Sequence, residues 1–381
     1  MSRLREMIKD MCPDGVEYRK LEDVLKICNG SDYKKLGEGD IPVYGSGGIM
    51  TYIDTYVYDK PSVLIPRKGS LDNLYYVDVP FWTVDTIFYT KISEEVLPKY
   101  VFYYLQSQHL ERLNKAGGVP SLTQTILNKV LISVPPLPIQ NEIVKLLDNF
   151  TELTAELTAE HSLRKKQYNF YCGSLLNFDQ KNSKVEWKTL GDVCDILSGY
   201  PFDSSQFVNN GIRLMRGMNV KRGVLDFQEG NNRYWKNTDG LDKYKLEADD
   251  IIIAMDGSLV GQSYGLVKEE HLPLLLVQRV ARLRSKESNS HYVYHYISSG
   301  KLTEYVNAKR TAGAVPHISL KDIEKFEIPF PDIEKQNKIA EILDRFDALC
   351  NDLTQGLPAE IAARKKQYEY YRDKLLTFRR K

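Results

Sequence analysis

The sequence predicts an α+β fold in which two globular domains are separated by two long antiparallel helices that form a coiled-coil strut, with an internal pseudo-twofold repeat. Three observations lead to this prediction: a tail motif that occurs twice, apolar residues at helical spacing in both tails, and strand-like sequence between them. We expect a first domain at 1–135, a long helix at 136–180, a second domain at 181–330 and a second long helix at 331–381.

The repeat extends well beyond the tails. Arg-Lys-Lys-Gln-Tyr occurs at 164–168 and again at 364–368, and residues 16–24 return in similar form as 185–193. Gly30 corresponds to Gly199 in this register. The offset rises from 169 at the openings to 196 near the tails, so the second middle is 27 residues longer. Uniform drift after duplication would not leave similar ends around different middles. We therefore expect the tails to face a duplicated partner.

Composition places the chain among globular proteins of two or three domains. Of its 381 residues, 42% are hydrophobic and 27% are charged. The N-terminus lacks a signal-like apolar stretch and no apolar run is long enough to span a bilayer, so we expect a cytoplasmic protein without a membrane partner. The five cysteines show no C-x-x-C spacing, which favours free thiols. A net charge of +1 excludes a histone-like coating protein but permits local basic surfaces.

The tails predict the helices. Apolar residues recur every three or four positions from Ile139 to Leu157 and again from Tyr168 to Phe178, and the second tail repeats this rhythm from Ile339. Prolines precede both stripes and mark where each helix begins. A helix over 139–178 would be roughly 60 Å long. An ordinary packed helical hairpin is the alternative, which the length and the wide separation of the two helices disfavour.

The second tail contains four extra residues, among them Gly356 and Pro358, which predict a kink at 356–358. The middles read as strands and turns at 41–90 and 212–284, followed by short helices near 98–115 and 291–307. Asp332 is expected to cap the second long helix, and Ser121 and Ser319 are expected to cap two short ones.

Catalytic signatures are missing from the sequence. It has no P-loop, no complete dinucleotide-binding loop and no Asn-Pro-Pro-Tyr motif, and its six histidines lack metal-ligand spacing. We therefore predict a reader of other molecules that is not an enzyme and needs neither a cofactor nor a metal ion.

The repeated opening and tail enclose further paired motifs. Arg-Lys-Gly-Ser at 67–70 precedes 80–86, and Met-Asp-Gly-Ser at 255–258 precedes 277–282. In this order, over essentially the whole chain, they resemble the DNA-specificity subunit of type I restriction-modification systems. The resemblance implies that each middle is a target-recognition domain that reads one half of an asymmetric, bipartite target in double-stranded DNA. It also implies that the helices set the gap between the halves and dock two methyltransferase (modification) subunits, and that restriction subunits supply ATP-dependent cleavage.

Two other functions remain open from the sequence. One is a freestanding sequence-specific DNA-binding protein, repressor-like or architectural, that dimerises through its long helices. The other is a fragment of a fused restriction enzyme, which the missing catalytic motifs disfavour.

Candidate DNA contacts are polar groups in glycine-bearing loops, where the backbone can approach phosphate. Solvated surface charge is the alternative role for each of them. In the first domain they are Lys34, Lys35, Tyr44, Ser46, Arg67, Lys68, Ser70 and Lys115. In the second they are Arg213, Arg216, Lys221, Arg222, Arg233, Asp256, Ser258, Gln278, Arg279, Lys309 and Arg310. Candidate partner-binding residues on the helices are Arg164, Lys165, Tyr168, Arg364, Lys365 and Tyr368.

Overall fold

The structure, a computed structural model, describes residues 2–114, 117–179, 185–309, 317–352 and 355–381. The chain divides into two compact units. Unit 1 comprises Met1–Ala159 together with Ala359–Lys381, and unit 2 comprises Glu160–Pro358. The end of the chain therefore belongs to the same unit as its beginning.

The first half of the chain contains five α-helices and nine strands among the described residues. In chain order they are α1 (Ser2–Met11), β1 (Tyr18–Lys20), α2 (Leu21–Val24), β2 (Leu25–Asn29), β3 (Glu38–Gly45), β4 (Gly48–Ile53), β5 (Ser62–Pro66), β6 (Tyr75–Val77), β7 (Trp82–Thr83), β8 (Ile87–Ile92), α3 (Pro98–Ser107), α4 (Gln124–Leu127), β9 (Leu131–Ser133) and α5 (Leu137–Leu175).

The second half repeats this order of elements with additions. They are β10 (Glu186–Thr189), α6 (Leu190–Val193), β11 (Cys194–Ser198), β12 (Ile212–Met215), β13 (Tyr234–Trp235), β14 (Ile251–Ala254), β15 (Tyr264–Leu266), β16 (Leu274–Leu276), β17 (Val280–Ser285), α7 (Ser290–Tyr296), α8 (Leu302–Ala308), α9 (Leu320–Glu324), β18 (Glu327–Phe330), α10 (Ile333–Asn351) and α11 (Leu357–Leu376).

The two divergent middles share one strand topology. Unit 1 has a four-stranded sheet of order β2-β8-β5-β6 and a three-stranded sheet of order β4-β3-β7; unit 2 has β11-β17-β14-β15 and β13-β12-β16. In both three-stranded sheets the central strand is antiparallel to one neighbour and parallel to the other. Much of the extra length of the second middle lies in residues 216–250, between β12 and β14. Unit 1 has only residues 46–61 between the corresponding strands β3 and β5. Different sequences thus build the same scaffold.

The repeated opening motif folds as a strand followed by one helical turn. β1 pairs antiparallel with β9, and β10 pairs in the same way with β18. Leu21 and Leu190, the first residues of the two short helices, are completely buried. The opening recurs in sequence because both copies close the same part of each unit's core.

Gly30 and Gly199 occupy matching places with no room for a side chain. A Cβ at Gly30 would lie 2.1 Å from the carbonyl oxygen of Val84, and one at Gly199 would lie 2.4 Å from that of Val277. These distances are far shorter than a carbon–oxygen contact allows. The repeated glycine is therefore a packing requirement.

The first long helix begins at Leu137, between the two starts, 136 and 139, that the sequence suggested, and Pro138 lies in its first turn, where a missing N–H group costs nothing. The second tail forms two helices, α10 and α11, so the predicted kink is a break between helices. Gly356 lies at this break. A larger residue would not fit there, because a Cβ would lie 2.6 Å from the carbonyl oxygen of Ala348. Asp332 caps α10 as predicted, accepting the Lys335 N–H at 2.8 Å.

Matching aromatic pairs hold the helices together within each unit. In unit 1, Phe150 of α5 stacks on Tyr371 of α11 with ring centroids 5.4 Å apart. In unit 2, Tyr171 of α5 stacks on Phe346 of α10 at 5.1 Å. Phe150 corresponds to Phe346, and Tyr171 to Tyr371, in the sequence repeat. The two tails therefore exchange roles between the units, as a pseudo-twofold repeat requires.

Candidate nucleic-acid interface

Three segments of unit 1 meet beside one end of strand β5, and they contain Arg67, Thr86 and Leu122. The N–H group of Arg67 donates to the carbonyl of Thr86 at 2.9 Å, and the N–H group of Leu122 donates to the carbonyl of Arg67 at 2.9 Å. The β3–β4 turn joins them, because the Ser46 N–H group donates to Thr86 Oγ1 at 3.3 Å. The structure thus brings together four predicted DNA contacts: Ser46, Arg67, Lys68 and Ser70.

Side chains that the sequence did not single out support this cluster. The carbonyl oxygen of Ser46 accepts hydrogen bonds from Asn73 Nδ2 at 3.4 Å and from the Tyr75 hydroxyl at 3.3 Å. The ring centroid of Tyr44 lies 5.9 Å from that of Tyr75. Burial raises the pKa of Tyr44 above its ordinary value.

Lys34 and Lys35 lie in an exposed turn between β2 and β3. The base of this turn is fixed to β7: the Ser31 N–H group donates to the Thr83 carbonyl at 2.8 Å, and Trp82 Nε1 donates to the Ser31 carbonyl at 2.9 Å. The two lysines are therefore presented by the three-stranded sheet rather than by the loop cluster around Ser46.

Unit 2 builds a corresponding cluster beside β14. The Met255 N–H group donates to the Arg279 carbonyl at 3.0 Å, as Arg67 does to Thr86 in unit 1. The carboxylate of Asp256 lies 3.1 Å from Arg279 Nη1 and also accepts a hydrogen bond from His317 Nδ1. Ser258 and Gln278 are exposed beside them. Four predicted contacts therefore meet here: Asp256, Ser258, Gln278 and Arg279.

His317 belongs to this cluster, although it was not among the candidate DNA contacts from the sequence. It pairs with Asp256 in an isolated antiparallel bridge, and Ser121 pairs with Lys68 in the same way in unit 1. Ser121 and His317 are 196 residues apart, which is the offset of the repeat in this region. That offset is the sequence signal that could have identified His317.

Arg213 and Arg216, near the start of the 216–250 segment of unit 2, contact other residues of their own unit. The guanidinium carbon of Arg213 lies 4.7 Å from the centroid of the Phe227 ring, and Arg216 Nη2 donates to the Asn231 carbonyl at 2.8 Å. Burial, followed by the charge of Arg233, lowers the pKa of Arg216. Both arginines brace the 216–250 segment, whereas Arg233 is exposed. Lys221 and Arg222 are also exposed, in a turn closed by Gly223.

Lys309 is held by its own unit. Its Nζ atom lies 2.9 Å from Asp322 Oδ1 and 4.5 Å from the centroid of the Tyr305 ring. Hydrogen bonds from Ser319 and then from Lys309 lower the pKa of Asp322 to about 2. Ser319 caps α9 as predicted, but the cap of α4 is Thr123 and not Ser121, because that helix begins at Gln124. The candidates Lys115 and Arg310 lie outside the described residues.

The candidate partner-binding residues divide into exposed and packed groups. Lys165 and Lys365 are exposed. Arg164 and Arg364 each bond to a nearby glutamate and glutamine of their own helix. The ring of Tyr168 lies 6.4 Å from that of Phe346, and the Tyr368 hydroxyl donates to Gln106 Oε1 at 2.8 Å. Both tyrosines thus have packing partners inside their own units.

Two exposed aromatic residues occupy matched helix positions that the sequence analysis missed. Phe170 is 69% exposed and Tyr370 is 59% exposed, and the two are 200 residues apart, the offset of the repeated pentapeptide. Each follows a half-buried tyrosine, Tyr168 or Tyr368, by two positions, so it points away from the apolar stripe. An aromatic residue outside the apolar stripe, at the same place in both tails, was the sequence signal that could have identified this pair.

None of the helices within the described ranges has the length and apolar character that spanning a bilayer requires.

The fold and its internal repeat agree with the comparisons with known proteins. The sequence model of the type I restriction modification DNA specificity domain matches residues 13–164 and again 182–363. The chain therefore belongs to the type I restriction-modification DNA-specificity family. Over 305 residues it is 37% identical to the EcoR124I/EcoR124II specificity subunit of Escherichia coli, covering 75% of this chain and 72% of the relative.

Solved structures support the fold. The crystal structure of a type I restriction-modification S subunit from M. genitalium matches with a TM-score of 0.66 and 16% identity, over 95% of this chain and 96% of that one. A chain from a structure of the type I R-M system, described for its complex assembly and conformational transition, matches with a TM-score of 0.55 and 16% identity, over 96% and 98%.

These findings confirm the predicted α+β fold class with its two domains and internal repeat, and they confirm the resemblance. The chain is a type I specificity subunit. The freestanding DNA-binding protein, which the sequence left open, is not supported.

Proposed function

We propose that residues 1–135 and 181–330 are two target-recognition domains, each of which binds double-stranded DNA and reads one half of an asymmetric bipartite target. One observation carries this proposal: matched scaffolds present different side chains at matched places. Unit 1 offers Arg67 and Lys68 where unit 2 offers Met255 and Asp256. Because base edges in the major groove differ in their donors and acceptors, different side chains on one scaffold select different bases.

Residues 136–180 and 331–381 are proposed to dock two methyltransferase subunits. Each unit presents one exposed aromatic residue, Phe170 or Tyr370, and one exposed lysine, Lys165 or Lys365, at matched positions. Matched surfaces suit two copies of one partner. The chain itself is proposed to be non-catalytic and to act in the cytoplasm, with methyl transfer on these subunits and ATP-dependent cleavage on restriction subunits.

The helices are also proposed to set the gap between the two half-sites. Deleting residues 354–357, about as many residues as one helical turn contains, should change the preferred gap and leave both half-sites intact. An unchanged gap would contradict this role.

Exchanging a domain tests the two-reader proposal. Replacing residues 31–115 with the corresponding segment of another family member should change one half of the target and preserve the other, because unit 2 keeps its own loops. Mapping methylated bases in host DNA gives the answer directly. A change in both halves would contradict independent reading.

Charged substitutions test the docking surfaces. Phe170→Glu should leave a complex with one methyltransferase subunit, and Phe170→Glu combined with Tyr370→Glu should leave none, because a carboxylate is costly to bury in an apolar contact. The mass of the purified complex measures this. Val119→Glu is the control, since Val119 is 69% exposed and lies outside residues 136–180 and 331–381. Two bound subunits in the double variant would exclude these residues from the interface.

A further inference from the structure

Arg279 combines an unfavourable backbone with an exposed side chain. Its φ of 64° lies in the left-handed region that residues with a Cβ rarely adopt. Hydrogen bonds hold the backbone there: Met255 donates to the Arg279 carbonyl at 3.0 Å, and the neighbouring Gln278 donates to the Tyr200 carbonyl at 2.9 Å. The side chain, however, is 75% exposed. This conformation therefore aims the side chain outward and adds nothing to the core.

The carboxylate of Asp256 forms an ion pair with the Arg279 guanidinium group. Its Oδ2 atom lies 3.1 Å from Arg279 Nη1, and its Oδ1 atom accepts a hydrogen bond from His317 Nδ1. The side chain of Asp256 is only 27% exposed, so the carboxylate is itself held in place. A carboxylate on one edge of a planar guanidinium orients its remaining N–H groups as a fork.

We infer that Arg279 reads a guanine in the half-site bound by unit 2, donating to its O6 and N7 atoms in the major groove, with Asp256 as a positioning residue. This inference rests on the proposed function. A bidentate arginine–guanine pair needs a fork held in one plane, which is what Asp256 supplies.

The neighbouring carboxylate favours a base over a phosphate. Asp256 offsets the positive charge of Arg279 and so weakens its attraction to the DNA backbone, whereas hydrogen bonding to O6 and N7 depends on geometry. In unit 1, Thr86 occupies the place of Arg279: its carbonyl accepts the Arg67 N–H group, as the Arg279 carbonyl accepts the Met255 N–H group. Thr86 has no guanidinium group, so unit 1 lacks an equivalent contact at this place. The guanine contact is therefore specific to one half of the target.

Arg279→Gly separates an effect on guanine recognition from an effect on folding stability. Glycine accepts the left-handed backbone, so the variant should fold at least as stably as the wild type. It should nevertheless lose roughly 5- to 150-fold discrimination for guanine at one base pair in one half-site, which is the fold-change of about 1–3 kcal/mol for a bidentate contact. The measurement is binding of the complex with its methyltransferase subunits to duplexes altered one base pair at a time, at several salt concentrations.

Two further variants test the roles of the fork and of Asp256. Arg279→Lys keeps the charge but not the fork, so guanine discrimination should fall while the salt dependence of binding is kept. Asp256→Asn should lower discrimination less than Arg279→Lys. Adding Asp256→Asn to Arg279→Lys should cause no further loss, because a positioning residue acts only through the group it positions.

His109→Gly is the matched control. His109 also has a left-handed backbone, with a φ of 49°, but lies in unit 1 outside both loop clusters. It should leave every base preference unchanged.

The inference is overturned if Arg279→Gly keeps guanine discrimination, if it weakens binding equally for all sequences with a smaller salt slope, or if the wild-type half-site contains no guanine. A wild-type complex with no bipartite target would instead overturn the proposed function.

Discussion

Two buried glutamines show why the tails repeat at the level of single residues. Gln140 and Gln336, both almost completely buried, lie in the first turns of α5 and α10. Gln140 Oε1 accepts the Leu97 N–H at 2.8 Å, and its Nε2 donates to the carbonyls of Glu95 and Pro135. Gln336 accepts the Asn289 N–H at 3.0 Å and donates to the Pro331 carbonyl. Each amide joins a helix start to the domain before it.

Gln140→Ala should lower the free energy of unfolding by about 1–3 kcal/mol, because it leaves buried backbone groups without partners. Chemical denaturation measures the effect. Asn141→Ala, at the exposed neighbouring position, is the control and should change stability far less. Equal effects of the two substitutions would show that the buried amide is not a structural link.

Gly30→Ala and Gly199→Ala should each lower the free energy of unfolding by about 1–3 kcal/mol or more, since a Cβ would overlap a backbone carbonyl that cannot easily move. Gly47→Ala and Gly217→Ala are the controls in units 1 and 2, since a Cβ at either position meets nothing within 4 Å. The denaturation midpoints compare all four. Wild-type stability in Gly199→Ala would contradict the close approach.

At the scale of elements, each unit anchors its domain to a long helix through one carboxylate, but with different partners. In unit 1, Asp148 of α5 bonds Lys99 at 2.8 Å and Tyr103 at 2.6 Å, both from α3. In unit 2, Asp344 of α10 bonds His291 at 2.9 Å and His295 at 2.7 Å, both from α7. Only the second anchor therefore contains histidines, the residue type whose ordinary pKa lies near neutral pH.

The anchor in unit 2 should make stability depend on pH. The hydrogen bond to Asp344 raises the pKa of His291 to about 9 despite burial. Burial opposes the shift of Asp344, but hydrogen bonds from both histidines lower its pKa to about 2. A raised histidine pKa stabilises the fold below about 6.5 and loses this contribution as the pH rises toward 9. The carboxylate's contribution is present above about 3.9 and is lost as the pH falls toward 2.

His291→Gln should therefore flatten the dependence of unfolding free energy on pH between 6.5 and 9. Denaturation at several pH values measures the slope. Lys99→Gln is the control in unit 1: the hydrogen bond to Asp148 raises the pKa of Lys99 from 10.5, so its loss lowers stability without changing this slope. An unchanged slope in His291→Gln would exclude the anchor as its source.

The elements also show what the sequence could predict. The helices and the Asp332 cap depend on neighbours a few residues apart, and local patterns reveal such contacts. The opening motif could be found because it occurs twice in the sequence. The pairing of Asp256 with His317 joins residues 61 positions apart, and the pairing of Asn73 with Ser46 joins residues 27 apart. No periodicity encodes these distances. The structure was therefore needed to show which residues meet in the two loop clusters, although the repeat offset could have suggested His317.

At the scale of the whole molecule, the last helix completes the first domain. Leu375 and Leu376 of α11 belong to the same buried core as Leu21, Ile139 and Leu147. The chain end is fixed there as well, because the Val16 N–H group donates to the Arg379 carbonyl at 2.8 Å. Residues at opposite ends of the sequence thus share one core.

Leu376→Ala should destabilise unit 1 by about 2–5 kcal/mol, through lost burial and the cavity left behind. Hydrogen exchange should therefore quicken in β2, β5 and β8 and stay unchanged in β11, β14 and β17. Glu369→Ala, an exposed change in the same helix, is the control. Faster exchange confined to unit 2 would contradict the division of the chain into these two units.

The shared core has a consequence for synthesis on the ribosome. Unit 2 is one continuous stretch, Glu160–Pro358, whereas unit 1 lacks Ala359–Lys381 until those residues have been translated. At about 5–20 residues per second, the nascent N-terminal domain waits roughly 10 to 45 s for its missing helix. The domain made first is therefore completed last, and every prematurely terminated product carries an open apolar surface that chaperones or proteases would meet.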